Sequence, residues 1–170
     1  ESFLVIALLI VLSAFFSLAE LSLAASRRLR LTQMADEGDV RAAKVLKLQE
    51  QPGDYFTVVQ IGLNAIAILG GIIGEGALSP TLSELYSHWL PAARAQTFGF
   101  LSSFIIVTSL FIMFADLIPK RLGMAQPEIW ATRLLKPMLW SMSLFKPIIW
   151  FYSRATDQLI KLLGLPAKRD

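Results

Sequence analysis

The chain has 170 residues, is 55% hydrophobic and has a mean hydropathy of +0.57. Values that high, with uncharged runs long enough to cross a bilayer, exclude an ordinary soluble domain. A scattered net charge of +3 excludes a nucleic-acid surface, and the absence of cysteine excludes a disulfide framework or a thiolate metal site.

The first apolar run predicts a membrane-spanning helix over about residues 2–26. Residues 2–19 carry no charge, and Glu20 interrupts the run. Ser13, Ser17 and Glu20 fall on one helical face. An acid this deep costs about 2.5–3.5 kcal/mol at a helix centre and less near an end, so it turns toward protein or water or pairs with a base at the boundary. Arg27-Arg28-Leu29-Arg30 follows at once, and residues 27–54 carry six basic and five acidic residues. Residues 40–51 have helical apolar spacing and predict a short amphipathic helix in a surface connection. Pro52-Gly53-Asp54 ends it.

A second span is predicted over residues 55–75, with Thr57, Gln60 and Asn64 as a polar stripe. A bare amide in lipid is costly, so Asn64 needs a partner, and interhelical hydrogen bonding competes with ligand binding as the use of the stripe. Gly70 and Gly74 form a small-xxx-small pair expected to admit a neighbouring backbone. Gly70-Gly71 is a candidate site of local unwinding. Residues 75–94 read as a loop carrying one base, two acids and the only histidine, His88.

The third span is predicted over residues 95–117, ending on Asp116-Leu117-Ile118-Pro119-Lys120-Arg121. Pro119 lacks an N–H and clashes with the preceding turn, so carbonyls near residue 115 are expected to lose their partners at a helix break. A carboxylate beside freed carbonyls suits a cation; an acid and a proline also suit a plain helix end at the headgroups. Counting back by sevens puts Ser109 and Ser102 on the Asp116 face. Three polar stripes predict a small hydrophilic cavity between the spans, near the end that holds both acids.

Residues 127–164 contain the echo Lys136-Pro137-Met138-Leu139-Trp140 and Lys146-Pro147-Ile148-Ile149-Trp150, with Trp130, Trp140 and Trp150 ten apart. Trp and Lys favour the membrane interface, and each piece between prolines is too short to span. We expect broken amphipathic helices forming a belt on the cytoplasmic leaflet. A fourth span from Met138 is the alternative, and it buries Lys146 mid-membrane. Residues 27–54 and 117–170 hold most of the basic residues, which places the N-terminus outside and the C-terminus in the cytoplasm. The fold class is therefore an all-α membrane protein with three transmembrane helices and a juxtamembrane belt. An enzyme is not expected: there is no His-Glu-x-x-His run and no nucleophile–histidine pair.

Phe15-Phe16-Ser17-Leu18-Ala19-Glu20-Leu21-Ser22-Leu23, Val59-Gln60-Ile61-Gly62-Leu63-Asn64 and Asp116-Leu117-Ile118-Pro119-Lys120 occur in this order. Together they resemble the CNNM/CorC transmembrane domain, over essentially the whole of residues 1–170. The resemblance implies a homodimer in the bacterial inner membrane that exports cations. It implies substrate binding by Ser17, Glu20, Ser22, Asn64 and Asp116; we expect rearrangement at the Gly70, Gly71 and Pro119 breaks to open that site outward. Leu63 and Ala67 stand where the magnesium branch carries asparagine, and Asp116 where it usually carries glutamate. Mg²⁺ demands near-octahedral oxygens and sheds water reluctantly, so losing two amides disfavours it. The residues 61–71 look closer to the polyamine-export branch, whose putrescine and cadaverine need oxygens at both ends and an apolar middle. Mg²⁺ or another divalent cation, held by Asn64 and Asp116, is the second reading. A non-transporting anchor for a regulatory module is the third. The chain opens on Glu1 and closes on Lys168-Arg169-Asp170, so we expect a segment of a longer protein. The resemblance implies a CBS-pair module beyond Asp170, where any nucleotide would bind; no cofactor is expected within residues 1–170.

Overall fold

The structure, a computed structural model, describes residues 2–165. They form nine α-helices and one π-helical segment, with no strand among the described residues. Helix α1 (Ser2–Ala25), α4 (Gly53–Tyr86) and the continuous helix Ala92–Ala125 are each long and apolar enough to cross a membrane. Their outward faces are apolar: Leu4, Leu8, Phe104 and Ile105 are well exposed, as suits contact with lipid tails.

Short helices α2 (Arg28–Asp36) and α3 (Val40–Glu50) join α1 to α4. The turn between them needs Gly38, whose φ of 102° favours a residue without a side chain. Asp39 then starts α3 by accepting hydrogen bonds from the N–H groups of Arg41 (3.0 Å) and Ala42 (3.2 Å).

The second and third spans exceed the expectation. Residues 75–86 do not form a loop. They continue α4 for three more turns, and only residues 87–91 connect it to α5 (Ala92–Leu110). At 34 residues α4 is roughly 50 Å long, against a hydrocarbon core of about 30 Å. The extra turns are held by tertiary contact. Gly99 lies against the Ser83 backbone, and the hydroxyls of Tyr86 and Ser102 share a hydrogen bond of 2.8 Å.

Pro119 does not end the third helix. A π-helical segment, Phe111–Leu117, runs directly into α6 (Ile118–Ala125), with Pro119 in its first turn. The Ile118 N–H donates to the Met113 carbonyl five residues back. The wider turn absorbs the missing proline donor without breaking the helix, as π segments do inside α-helices. It also spoils the heptad count that put Ser102 and Ser109 on the Asp116 face. Ser102 is bound to Tyr86 and Ser109 is exposed.

Helix α4 is unbroken through Gly70-Gly71. Gly70 and Gly74 admit side chains rather than a backbone: Phe111 packs on the first and Val107 on the second.

Residues 127–162 form α7 (Pro127–Arg133), α8 (Leu135–Leu144) and α9 (Lys146–Leu162), interrupted at Leu134 and Phe145. No fourth span appears among the described residues. Leu23, Leu31, Val45, Tyr55, Val58, Leu135 and Met138 join α1–α4 to α8 in one apolar core. The Arg133 and Arg154 guanidinium groups lie 5.7 and 5.3 Å from the Trp130 and Trp150 ring centroids. Lys168 and Arg169, used in the orientation count, lie outside the described residues.

Helix α7 is clamped to the start of α2. Glu128, only 6% exposed, accepts a hydrogen bond from the Arg27 backbone N–H at 2.8 Å. The carboxylate supplies an acceptor where α2 has no side-chain cap of its own. Glu128→Ala is expected to lower unfolding free energy by about 1–3 kcal/mol, because a part-buried hydrogen bond to a charged group is lost. Glu128→Gln keeps an acceptor oxygen and is expected to cost less than half as much. Thermal unfolding in detergent measures both.

Candidate functional site

The first-span acid and the second-span stripe meet. Glu20, half-buried on α1, accepts a hydrogen bond of 3.4 Å from the Gln60 side-chain nitrogen on α4. Helix α1 is held at this level by the buried Tyr55, whose hydroxyl donates to the Ala19 carbonyl at 2.8 Å. Ser22 donates to the same carbonyl at 3.1 Å. That hydroxyl is fully buried and already engaged in its own helix, so Ser22 offers nothing to a ligand in this arrangement. Ser17 is buried on α1, one turn before Glu20.

Thr57, Gln60 and Asn64 do share a face, but it does not look into the bundle. Asn64 is exposed and lines a groove of about 610 Å³ between α4 and α9. Thr57, Gln60, Ile61 and Ile68 line the α4 side, and Tyr152 and Thr156 line the opposite side. The reason is rotational. At 100° per residue Asn64 sits roughly 200° around α4 from Gly62, against which Phe16 of α1 packs. The residues that face the third helix instead are Gly70 and Gly74.

The groove is chemically mixed. Thr57 donates its hydroxyl to the Gly53 carbonyl at 2.8 Å, which leaves the oxygen able to accept. The Gln60 nitrogen is committed to Glu20, which leaves its carbonyl oxygen. The Asn64 side chain makes no hydrogen bond among the described residues. Amide and hydroxyl oxygens thus stand beside the aliphatic surface of Ile61, Ala65 and Ile68, with one carboxylate behind Gln60.

Asp116 is placed apart from this groove. It lies in the π segment, half-exposed, and pairs with Lys120 one turn on at 3.0 Å. Neither Glu20 nor Asn64 has a hydrogen bond or ion pair to it among the described residues. No group of three His, Cys, Asp or Glu side chains that could hold a metal ion occurs among the described residues. Tyr152 and Thr156 were not legible as site residues from sequence. They sit in an amphipathic segment nearly ninety residues from Asn64, and no local pattern marks which of its faces meets α4.

A family model described as the Cyclin M transmembrane N-terminal domain, CNNM, matches residues 4–170. The chain belongs to the CNNM transmembrane-domain family. This CNNM domain is 48% identical over 169 residues to the polyamine export protein of Escherichia coli strain K12, covering 99% of the chain and 38% of that protein. It is 49% identical over 169 residues to the polyamine export protein of Salmonella typhimurium, with the same coverage. With the polyamine export protein of Haemophilus influenzae it shares 50% identity over 131 residues, or 77% of the chain and 30% of that protein. The CNNM domain therefore spans under two-fifths of the length of these curated relatives.

Proposed function

We propose that this CNNM domain is the membrane part of a homodimeric polyamine exporter of a bacterial inner membrane, with the α4–α9 groove as its diamine-binding surface. The names of the relatives favour a polyamine, and the make-up of the groove carries the reading. A linear diamine has two ammonium ends and an apolar middle. The Gln60 and Asn64 oxygens suit an end, the Ile61–Ala65–Ile68 surface suits the methylenes, and Glu20 supplies the countercharge. A dehydrated Mg²⁺ needs about six oxygens at 2.0–2.1 Å, and Asn64 and Asp116, the pair on which that reading relies, stand apart, with Asp116 turned to Lys120.

Asp116 is the second carboxylate of the pathway. Its partner Lys120 is itself a primary ammonium on an aliphatic stem, the same group a diamine presents. The two side chains are 47% and 42% exposed, and ion pairs that open to solvent are worth at most about 1 kcal/mol, so exchange with substrate is inexpensive. Phe111, the first residue of the π segment, packs on Gly70. This contact joins α4 to the π segment that leads into Pro119, and we assign alternating access to the Gly70-Gly71 and Pro119 joint. The belt lies on the cytoplasmic leaflet, the N-terminus is outside, and any regulatory nucleotide belongs to the remainder of the full-length protein.

The test is transport by the full-length protein in proteoliposomes, with putrescine and Mg²⁺ offered in turn. Putrescine is expected to move, and Asn64→Ala and Asp116→Ala are each expected to cut its rate about tenfold at normal expression. Movement of Mg²⁺ alone overturns the substrate. Movement of neither favours a membrane anchor for a soluble module. Unchanged rates in both variants remove those residues from the site.

A further inference from the structure

The groove has two walls, and only the α4 wall contains residues that the sequence marks for function. Helix α9 supplies the other. It presents Tyr152 and Thr156, one turn apart, toward Gln60 and Asn64. Tyr152 is 49% exposed, and its ring lies edge-on to Phe151 with centroids 5.7 Å apart. Neither the Tyr152 hydroxyl nor that of Thr156 is engaged in a hydrogen bond among the described residues.

None of the three cations of α9, Lys146, Arg154 and Lys161, lines the groove. Arg154 and Lys161 lie roughly 180–200° around the helix from Tyr152, where they line a separate surface with Asp157 and Gln158. Arg154 also covers the Trp150 ring. Among the described residues no base of α9 lines the groove that a cation would enter. An electron-rich aromatic ring and a hydroxyl line the wall opposite the amide oxygens, with aliphatic side chains between. An ammonium is attracted to an aromatic face, most strongly where water is thinned by surrounding apolar groups.

We infer that α9 is a wall of the substrate site, and that Tyr152 is its specificity residue, holding the second ammonium of a diamine whose first ammonium lies at Gln60 and Asn64. Two ammonium positions on separate helices fix a span, so the groove selects by chain length. Thr156 accepts a hydrogen bond beside the ring. This rests on the export reading given above.

The experiment uses full-length protein in proteoliposomes, with putrescine and the one-carbon-longer cadaverine as probes. Tyr152→Leu is expected to raise KM for both about tenfold, with kcat within twofold, and to change the putrescine-to-cadaverine preference. Tyr152→Phe keeps the ring and is expected to stay within threefold of wild type. A tyrosine that merely packs would lower kcat and unfolding temperature without altering preference. Wild-type transport with an unchanged KM in Tyr152→Leu overturns the inference and leaves the export reading standing. A wild-type protein that moves no diamine overturns both. If Tyr152→Leu lowers the unfolding temperature, Thr156→Lys decides instead: it sets a competing ammonium at an exposed position in the groove. It must raise KM by a similar factor, and an unchanged KM overturns the inference.

Discussion

Glu20→Gln is expected to raise KM for putrescine by about tenfold while leaving the fold intact. Among the described residues Glu20 is the one carboxylate hydrogen-bonded to a groove residue, through the Gln60 nitrogen at 3.4 Å. An ammonium held at the Gln60 oxygen lies about 5 Å from that charge. With an effective dielectric of about 20 the gross attraction is roughly 3 kcal/mol, and solvent screening at this part-exposed site leaves about 1.4 kcal/mol, or one decade in affinity. Glutamine has the same shape and keeps an oxygen to accept from Gln60, so α1 and α4 retain their contact. Tyr55 continues to fix the α1 backbone at Ala19. The loss should therefore appear in KM and not in unfolding temperature. Putrescine uptake at a series of concentrations decides it, and an unaltered KM removes Glu20 from the site.

Gly99→Leu is expected to destabilise the protein by about 3 kcal/mol, the upper end of the range for overpacking. A Cβ at Gly99 meets the Ser83 backbone nitrogen at 2.8 Å and its Cα at 2.9 Å. Backbone has no rotamer in which to retreat, so α4 and α5 must separate. Gly71 is the control. A Cβ there has nothing within 4 Å, and the position is mid-helix. Gly71→Ala is expected to be stabilising by up to about 1 kcal/mol through helix propensity. Thermal unfolding in detergent measures both variants. The same control addresses gating, because transport that survives Gly71→Ala unchanged takes unwinding at Gly70-Gly71 out of the mechanism.

The two parts of this molecule were unequally readable. Charge-free runs of spanning length are a local property, and no neighbour is needed to make residues 2–19, 55–74 or 95–115 apolar enough for lipid. The breaks between α7, α8 and α9 were readable for the same reason: Lys136-Pro137 and Lys146-Pro147 each lie in the first turn of a new helix wherever the segment lies. Helix ends were less so. Helix α4 runs on to Tyr86 because Gly99 and Ser102 of α5 receive it, and that support comes from a different segment.

The sequence by itself determined the three spans, the common face of Thr57, Gln60 and Asn64, and the family. Tertiary structure decided that this face meets Tyr152 and Thr156 of α9, that Glu20 joins it through Gln60, and that Asp116 turns to Lys120 instead. Helical periodicity settles which side chains point together. What stands opposite them depends on how each helix is rotated against its neighbours, and that rotation comes from distant contacts such as Phe16 on Gly62 and Phe111 on Gly70.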